Sequence, residues 1–160
     1  MPFEVVYTEE IGPRIKMIKI RAPLIAKKVK PGQFAILRVD DRGERFPLTI
    51  VDWDKENGTI TFVFQEKGLS TMKLGSLVKG DYVLDVVGPL GNPTRVLSTG
   101  IVCMIGYGAR IASLLPRLKV LREKNAYIIS ILLAKSQDEI IMADNVKRFS
   151  NEVHIVTNPS

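Results

Sequence analysis

Between residues 3 and 95 apolar and polar positions alternate over short stretches, and no helical period is sustained. In Thr59-Ile60-Thr61-Phe62-Val63-Phe64 the alternation puts Ile60, Phe62 and Phe64 on one face, and the Asn57-Gly58 pair before it signals a hairpin turn. Tyr82 to Val87 predicts a further strand, introduced by Lys79-Gly80-Asp81. Short strands at regular spacing, with Gly and Pro between them, predict a small antiparallel barrel. One short helical turn is expected within it, from Thr71 to Leu77 and begun at Ser70, where its start suits a phosphate.

The pattern changes after Asn92-Pro93-Thr94. Ile101 to Ile105 is a continuous apolar run that ends at Gly106-Tyr107-Gly108, and a helical period follows. Ile111, Leu114, Leu115, Leu118 and Leu121 then share one helix face, with Pro116 either kinking this helix or marking its first regular turn. Tyr127 to Ala134 predicts a second buried strand. Ser136-Gln137-Asp138-Glu139 reads as a capping box opening a second helix that ends near Lys147-Arg148. Glu152 to Thr157 predicts a third strand. The expected architecture is therefore a β-barrel over residues 1–95 and an α/β lobe of β-α-β-α-β order, half of a Rossmann unit, over residues 96–160.

Composition narrows the class. Apolar residues make up 46% and charged residues 25% of the 160, an ordinary globular balance, and no run of about 18 apolar residues occurs. Met1-Pro2-Phe3-Glu4 lacks the basic and apolar regions of a signal peptide, so a cytoplasmic protein with no membrane partner is expected. The net charge of +6 invites a nucleic-acid reading, since small barrels do bind single strands. Yet the seven basic residues from Arg14 to Lys30 have no Phe, Tyr or Trp among them to stack on bases. A solvated basic face, or attraction to an acidic redox partner, is the better account. Cys103 is the sole cysteine and is expected to be a small buried thiol, while the sole histidine, His154, is expected to be structural. One cysteine cannot hold an iron–sulfur cluster, which takes about four, so no cluster is expected in this chain.

The candidate chemistry lies in Arg45-Phe46-Pro47-Leu48-Thr49 and, one strand later, in Gly68-Leu69-Ser70-Thr71. A guanidinium pairs bidentately with a diphosphate, and a glycine turn opening a helix aims backbone N–H groups at the same anion. Taken alone, the first string also fits an edge-strand turn. The order of its neighbours carries it further. Lys30-Pro31-Gly32-Gln33-Phe34 precedes it, Gly88-Pro89-Leu90-Gly91-Asn92-Pro93 follows it, and the strand-glycine-helix unit comes next.

In that order the segments resemble the ferredoxin–NADP reductase superfamily, and within it the electron-transfer subunits of dihydroorotate dehydrogenase and the alpha subunits of ferredoxin:NADP reductase (sulfide dehydrogenase) type. The likeness runs from about residue 3 to residue 157. It implies a six-stranded antiparallel Greek-key flavin-binding barrel followed by a nucleotide lobe, truncated here. It also implies that FAD is bound: Arg45 would neutralise its diphosphate, Pro47 and Leu48 would bring backbone to the isoalloxazine, and Thr49 would hydrogen-bond near N5. Phe46, Ile50, Val51 and Asp52 belong to the same strand. Phe64 and Gln65 match positions that touch ribityl or adenosine groups, and Gly68, Leu69, Ser70 and Thr71 match the phosphate-holding turn.

The same resemblance points to a nucleotide site at the end of the first α/β strand, where relatives carry Gly-Gly-Gly-x-Gly-Ile-Ala-Pro. Here the string is Gly106-Tyr107-Gly108-Ala109-Arg110-Ile111-Ala112-Ser113. Tyr107 would fill space that a dinucleotide needs, whereas Arg110 would contact a phosphate. Lys135 and Ser136 end the second strand where relatives face the adenosine ribose. The function implied is an oxidoreductase of flavin-dependent electron transfer, taking electrons between a nicotinamide cofactor or partner protein and an iron–sulfur partner, or else a non-catalytic binding or assembly module derived from the fold. Further strands pair with the first α/β strand in the resembled fold, so Ile101 to Ile105 is expected as an apolar edge covered by a second copy or a partner redox subunit, unless residues 97–100 or 158–160 protect it.

Overall fold

The computed structural model describes residues 2–95 and 100–158; most of the two segments named as possible covers for the first α/β strand lies outside them. The first part comprises β1 (Phe3–Gly12), β2 (Ile15–Arg21), a short helix α1 (Pro23–Lys28), β3 (Phe34–Arg38), β4 (Phe46–Thr49), β5 (Asp52–Asp54), β6 (Thr59–Gln65), α2 (Leu69–Gly75), β7 (Tyr82–Val83) and β8 (Asp85–Leu90). All pairings among these strands are antiparallel, in a five-stranded sheet of order β5-β6-β2-β1-β7 and a three-stranded sheet of order β4-β3-β8.

Two bends join the sheets. Ile50 and Val51 carry the chain from β4 to β5, and Leu84 carries it from β7 to β8. Their N–H groups stay bonded across the bends, Ile50 to Gln33 O at 3.1 Å, Val51 to Thr61 O at 3.0 Å and Leu84 to Val39 O at 3.0 Å. The single strand expected from Tyr82 to Val87 is thus two strands in different sheets, and it runs on to Leu90.

The barrel encloses one apolar cluster in which Val5, Ile18, Ile20, Leu37, Ile60 and Phe62 are buried. Ile60, Phe62 and Phe64 face inward together as the alternation requires, and Gly58 takes the positive φ of 65° that the Asn57-Gly58 turn needs. Helix α1 was not legible as a helix in the alternating pattern. Its cue is Pro23 at the first helical position, where a missing N–H costs nothing, with Ile25 and Ala26 packed below it.

The second part comprises β9 (Ile101–Tyr107), a 3-10 stretch over Gly108–Leu114, α3 (Leu115–Glu123), β10 (Tyr127–Ala134), a 3-10 turn over Gln137–Glu139, α4 (Ala143–Arg148) and β11 (Glu152–Thr157). Its sheet is parallel, of order β11-β10-β9. Pro116 marks the first turn of α3 and does not kink it. The expected capping box does not form. The Ser136 hydroxyl donates to Asp138 instead, the 3-10 turn stops after three residues, and α4 starts only at Ala143, after Met142 at φ 55°.

Ile111, Ala112, Leu118, Ile128, Leu132 and Val146 form a second apolar cluster, and the barrel residues Ile15 and Val51 are buried in it. Lys119 pairs with Asp52 at 3.2 Å and Arg117 Nε donates to Thr94 Oγ1 at 3.1 Å, so polar contacts tie α3 to the barrel as well. The helices cover one face of the parallel sheet. On alternate positions of β9, Ile101 is 74% exposed and Ile105 61% exposed. Cys103 lies between them and is exposed, not the buried thiol expected, because its side of the strand is the one without a helix packed on it. Strand β9 pairs with β10 alone, so the expected apolar edge is present among the described residues.

Candidate functional site

The site is assembled where β4, the end of β6 and the start of α2 come together. Pro47 fixes φ on β4, and an edge strand tolerates a residue that cannot donate to a ladder. Helix α2 is capped at Gly68, two residues before the expected Ser70. The reason is Thr71, whose Oγ1 accepts from the N–H groups of Lys67 at 2.9 Å and Gly68 at 3.2 Å and donates to Gly68 O at 3.2 Å. The Thr71 hydroxyl therefore serves the turn itself. Ser70 is left to face the cavity beside it.

Two cavities lie on this surface. The first, about 930 Å³, runs between Arg42-Gly43-Glu44, Phe46 and residues 67–73. The second, about 790 Å³, lies in the seam between the two parts of the molecule, lined by Pro47, Leu48, Thr49, Phe64 and Gln65 on one side and Tyr107, Gly108, Arg110 and Lys135 on the other. Lys67 and Thr71 line both. Gly68 has an extended φ of −143°, and a Cβ built on it meets nothing within 4 Å. Neither packing nor backbone strain asks for glycine there. Its absent side chain leaves the backbone of the turn open to a ligand.

The sequence candidates divide on this surface. Phe46, Leu69, Ser70 and Thr71 line the first cavity and Pro47, Leu48, Thr49, Phe64 and Gln65 the second, with Leu69 88% exposed. Arg45 lines neither, because its guanidinium is paired with Asp85 at 2.7 Å. Ile50 and Val51 are buried in the two apolar clusters and their N–H groups are spent on the barrel, so their side chains are core and not site. Gly106 is also a packing residue, since a Cβ there would lie 2.8 Å from Leu114 Cδ1 and 3.0 Å from Ile111 Cα. Gly108 takes φ 56° and does line the seam, beside Tyr107 and Arg110.

The two flanking glycine segments turn out to brace one another. Gln33 accepts from Lys30 N–H and donates to Gly91 O, both at 2.9 Å, while Gly32, at φ 93°, lets Thr94 approach where any Cβ would collide. Sequence reasoning missed Lys67, which carries no motif of its own. It also missed Lys73, which hydrogen-bonds Asp40 and, with the Arg42 and Gly43 N–H groups and its own charge, holds that carboxyl below the usual aspartate range. His154 is exposed and lies 3.4 Å from Glu152.

No family model matches the chain. A protein of Thermotoga maritima described as a dihydroorotate dehydrogenase B (NAD(+)) electron transfer subunit homolog is 38% identical over 155 residues, 97% of this chain and 55% of that one. A solved NADH-dependent reduced ferredoxin–NADP oxidoreductase, described in the context of flavin-based electron bifurcation, superposes with a TM-score of 0.92 at 36% identity, over 100% of this chain and 58% of that one. The chain belongs to the ferredoxin–NADP reductase superfamily. It shares the superfamily fold with phthalate dioxygenase reductase, at TM-score 0.80 and 14% identity over 52% of that chain. The chain spans little more than half the length of these superfamily members.

Among the described residues no helix is long and apolar enough to cross a membrane, and no three His, Cys, Asp or Glu side chains gather as a metal site.

Proposed function

We propose that this chain is an FAD-binding electron-transfer protein or subunit of the ferredoxin reductase type, passing electrons between a nicotinamide cofactor or partner protein and an iron–sulfur partner. The observation that carries this reading is the pair of neighbouring cavities that share Lys67 and Thr71, with the Pro47-Leu48-Thr49 strand end in one and the Gly68 to Thr71 turn in the other. These residues suit a flavin dinucleotide. Pro47 and Leu48 offer an apolar, conformationally fixed surface, Thr49 and Gln65 offer hydrogen bonds, and the open Gly68 backbone and Ser70 hydroxyl offer donors to phosphate. Bound FAD would supply the redox chemistry, taking two electrons as a hydride and releasing them singly. The protein's own work is to hold and orient it and to limit what reaches it.

Residues 1–95 act as the flavin domain and residues 96–160 as a partial nucleotide-binding-like lobe. The flavin domain is a six-stranded Greek-key barrel in this reading, with β4 and β5 counted as one bent strand and β7 and β8 as another. Arg45 reaches the diphosphate by leaving Asp85. Relatives described as electron transfer subunits support a partner protein, and Cys103, the sole cysteine of these 160 residues, is too few to ligate an iron–sulfur cluster within them. The β9 edge is covered by such a partner or by a second copy of the chain, and the protein works in the cytoplasm. A second reading, a non-catalytic module, is favoured by Tyr107, which stands 52% exposed in the seam in place of a glycine. The visible spectrum of the purified protein decides between them. Flavin bands with cofactor released on denaturation support the first; a colourless protein that takes up no added FAD supports the second.

A further inference from the structure

Of the cations that line the first cavity, Lys73 is engaged, while Arg42 and Lys67 have no acid within ion-pair distance among the described residues. Lys73 is held by Asp40 at 2.8 Å, Arg45 by Asp85 at 2.7 Å, and the Arg38 guanidinium donates to Gly43 O at 3.1 Å and Asp41 O at 2.7 Å. The Lys67 backbone N–H is fixed by Thr71 Oγ1, so the position of its Cα is set while its ammonium is unspent. It also stands between the two cavities, and among the described residues it is the one charged residue that lines both.

A ligand spanning both cavities has its middle between them. In a dinucleotide the middle is the diphosphate, which carries the charge, while the ring systems at either end are neutral. Building on the flavin reading above, we propose that Lys67 is a second diphosphate cation of this site, beside Arg45, and that it makes the site select FAD over flavins lacking the adenylate half. Asp85 competes with phosphate for Arg45, whereas no carboxylate among the described residues is paired with Lys67. Tethering by the Thr71 hydroxyl limits the ordering cost of the contact to the side chain itself.

Calorimetric titration of the full chain with FAD and with riboflavin, each at low and high salt, tests this with Lys67→Met and Lys67→Arg beside the wild type. Lys67→Met is expected to weaken FAD binding at least tenfold, to leave riboflavin binding within about twofold, and to flatten the salt dependence of FAD binding; Lys67→Arg is expected to restore most of the affinity. Because Lys67 is exposed, retained riboflavin binding also reports that the variant is folded. Unchanged FAD affinity in Lys67→Met, or an equal loss for both flavins, overturns the assignment while leaving the flavin reading in place. A wild-type chain that binds neither flavin overturns both.

Discussion

Arg45 and Asp85 meet at 2.7 Å across β3, joining the end of the loop before β4 to the first residue of β8. Both side chains are part-exposed, so the pair itself contributes only about 0–1 kcal/mol to stability. Its effect on ligand binding is larger. A phosphate must draw the guanidinium away from a carboxylate that already holds it.

Two variants separate the terms. Arg45→Ala is expected to weaken FAD binding, because a charge-assisted contact of roughly 1.5–3 kcal/mol exceeds the cost of breaking the exposed pair. Asp85→Asn is expected to tighten it several-fold by releasing the guanidinium. Equilibrium titration with FAD reads both, and unchanged binding in Arg45→Ala would show that the arginine stays with Asp85 throughout.

NADH or NADPH is expected to reduce bound flavin slowly or not at all. Tyr107 stands in the seam opposite Pro47 and Thr49, where a nicotinamide would have to approach. Anaerobic stopped-flow mixing gives the rate. Complete reduction within about a tenth of a second, an ordinary turnover time, would mean that the tyrosine moves aside freely; Tyr107→Gly is expected to speed the reaction.

The chain is expected to associate in solution through β9. Its outer edge has no strand paired to it among the described residues, and Ile101 and Ile105 present apolar surface with no charge from Ile101 to Tyr107 to discourage pairing. Light scattering at micromolar concentration should give a mass above that of one chain, and Ile105→Lys should lower it. A stable monomer in the wild type would refute this.

Acid should loosen the β5–β6 hairpin in a predictable direction. Asp54 accepts the N–H groups of Asn57 at 3.0 Å and Glu56 at 2.9 Å and the Asn57 side-chain amide at 2.6 Å, and these bonds, led by the Asn57 N–H, hold its carboxyl below the usual aspartate range. A depressed folded-state pKa gives stability that is present above the unfolded value and lost as pH falls through the folded one. Urea midpoints measured between about pH 5 and pH 2 should fall, and should fall less in Asp54→Asn.

The alternation in β6 and the apolar face of α3 placed those elements because burial alone decides them. Helix α1 escaped because six residues are too few to show a period, and the break before α4 escaped because Ser136 bonds Asp138 where a capping box would have it bond the backbone. The string at Gly68 lies along the first cavity and the Pro47 to Thr49 part of the string at Arg45 along the second. They did not tell that Asp85, distant in sequence, would occupy Arg45, or that Lys67 would sit between the two cavities, since both facts arise from how the sheets close. Gly106 shows the converse: a glycine within a nucleotide-like string is required by the packing of Ile111 and Leu114.

The burial of Ile15 and Val51 among Ile111, Leu118 and Leu132 bears on how the molecule comes apart. Neither half can melt without exposing side chains of the other. Calorimetric heating should therefore give one endotherm with matching van't Hoff and calorimetric enthalpies, and Val51→Ala should shift that whole transition downward instead of splitting it in two.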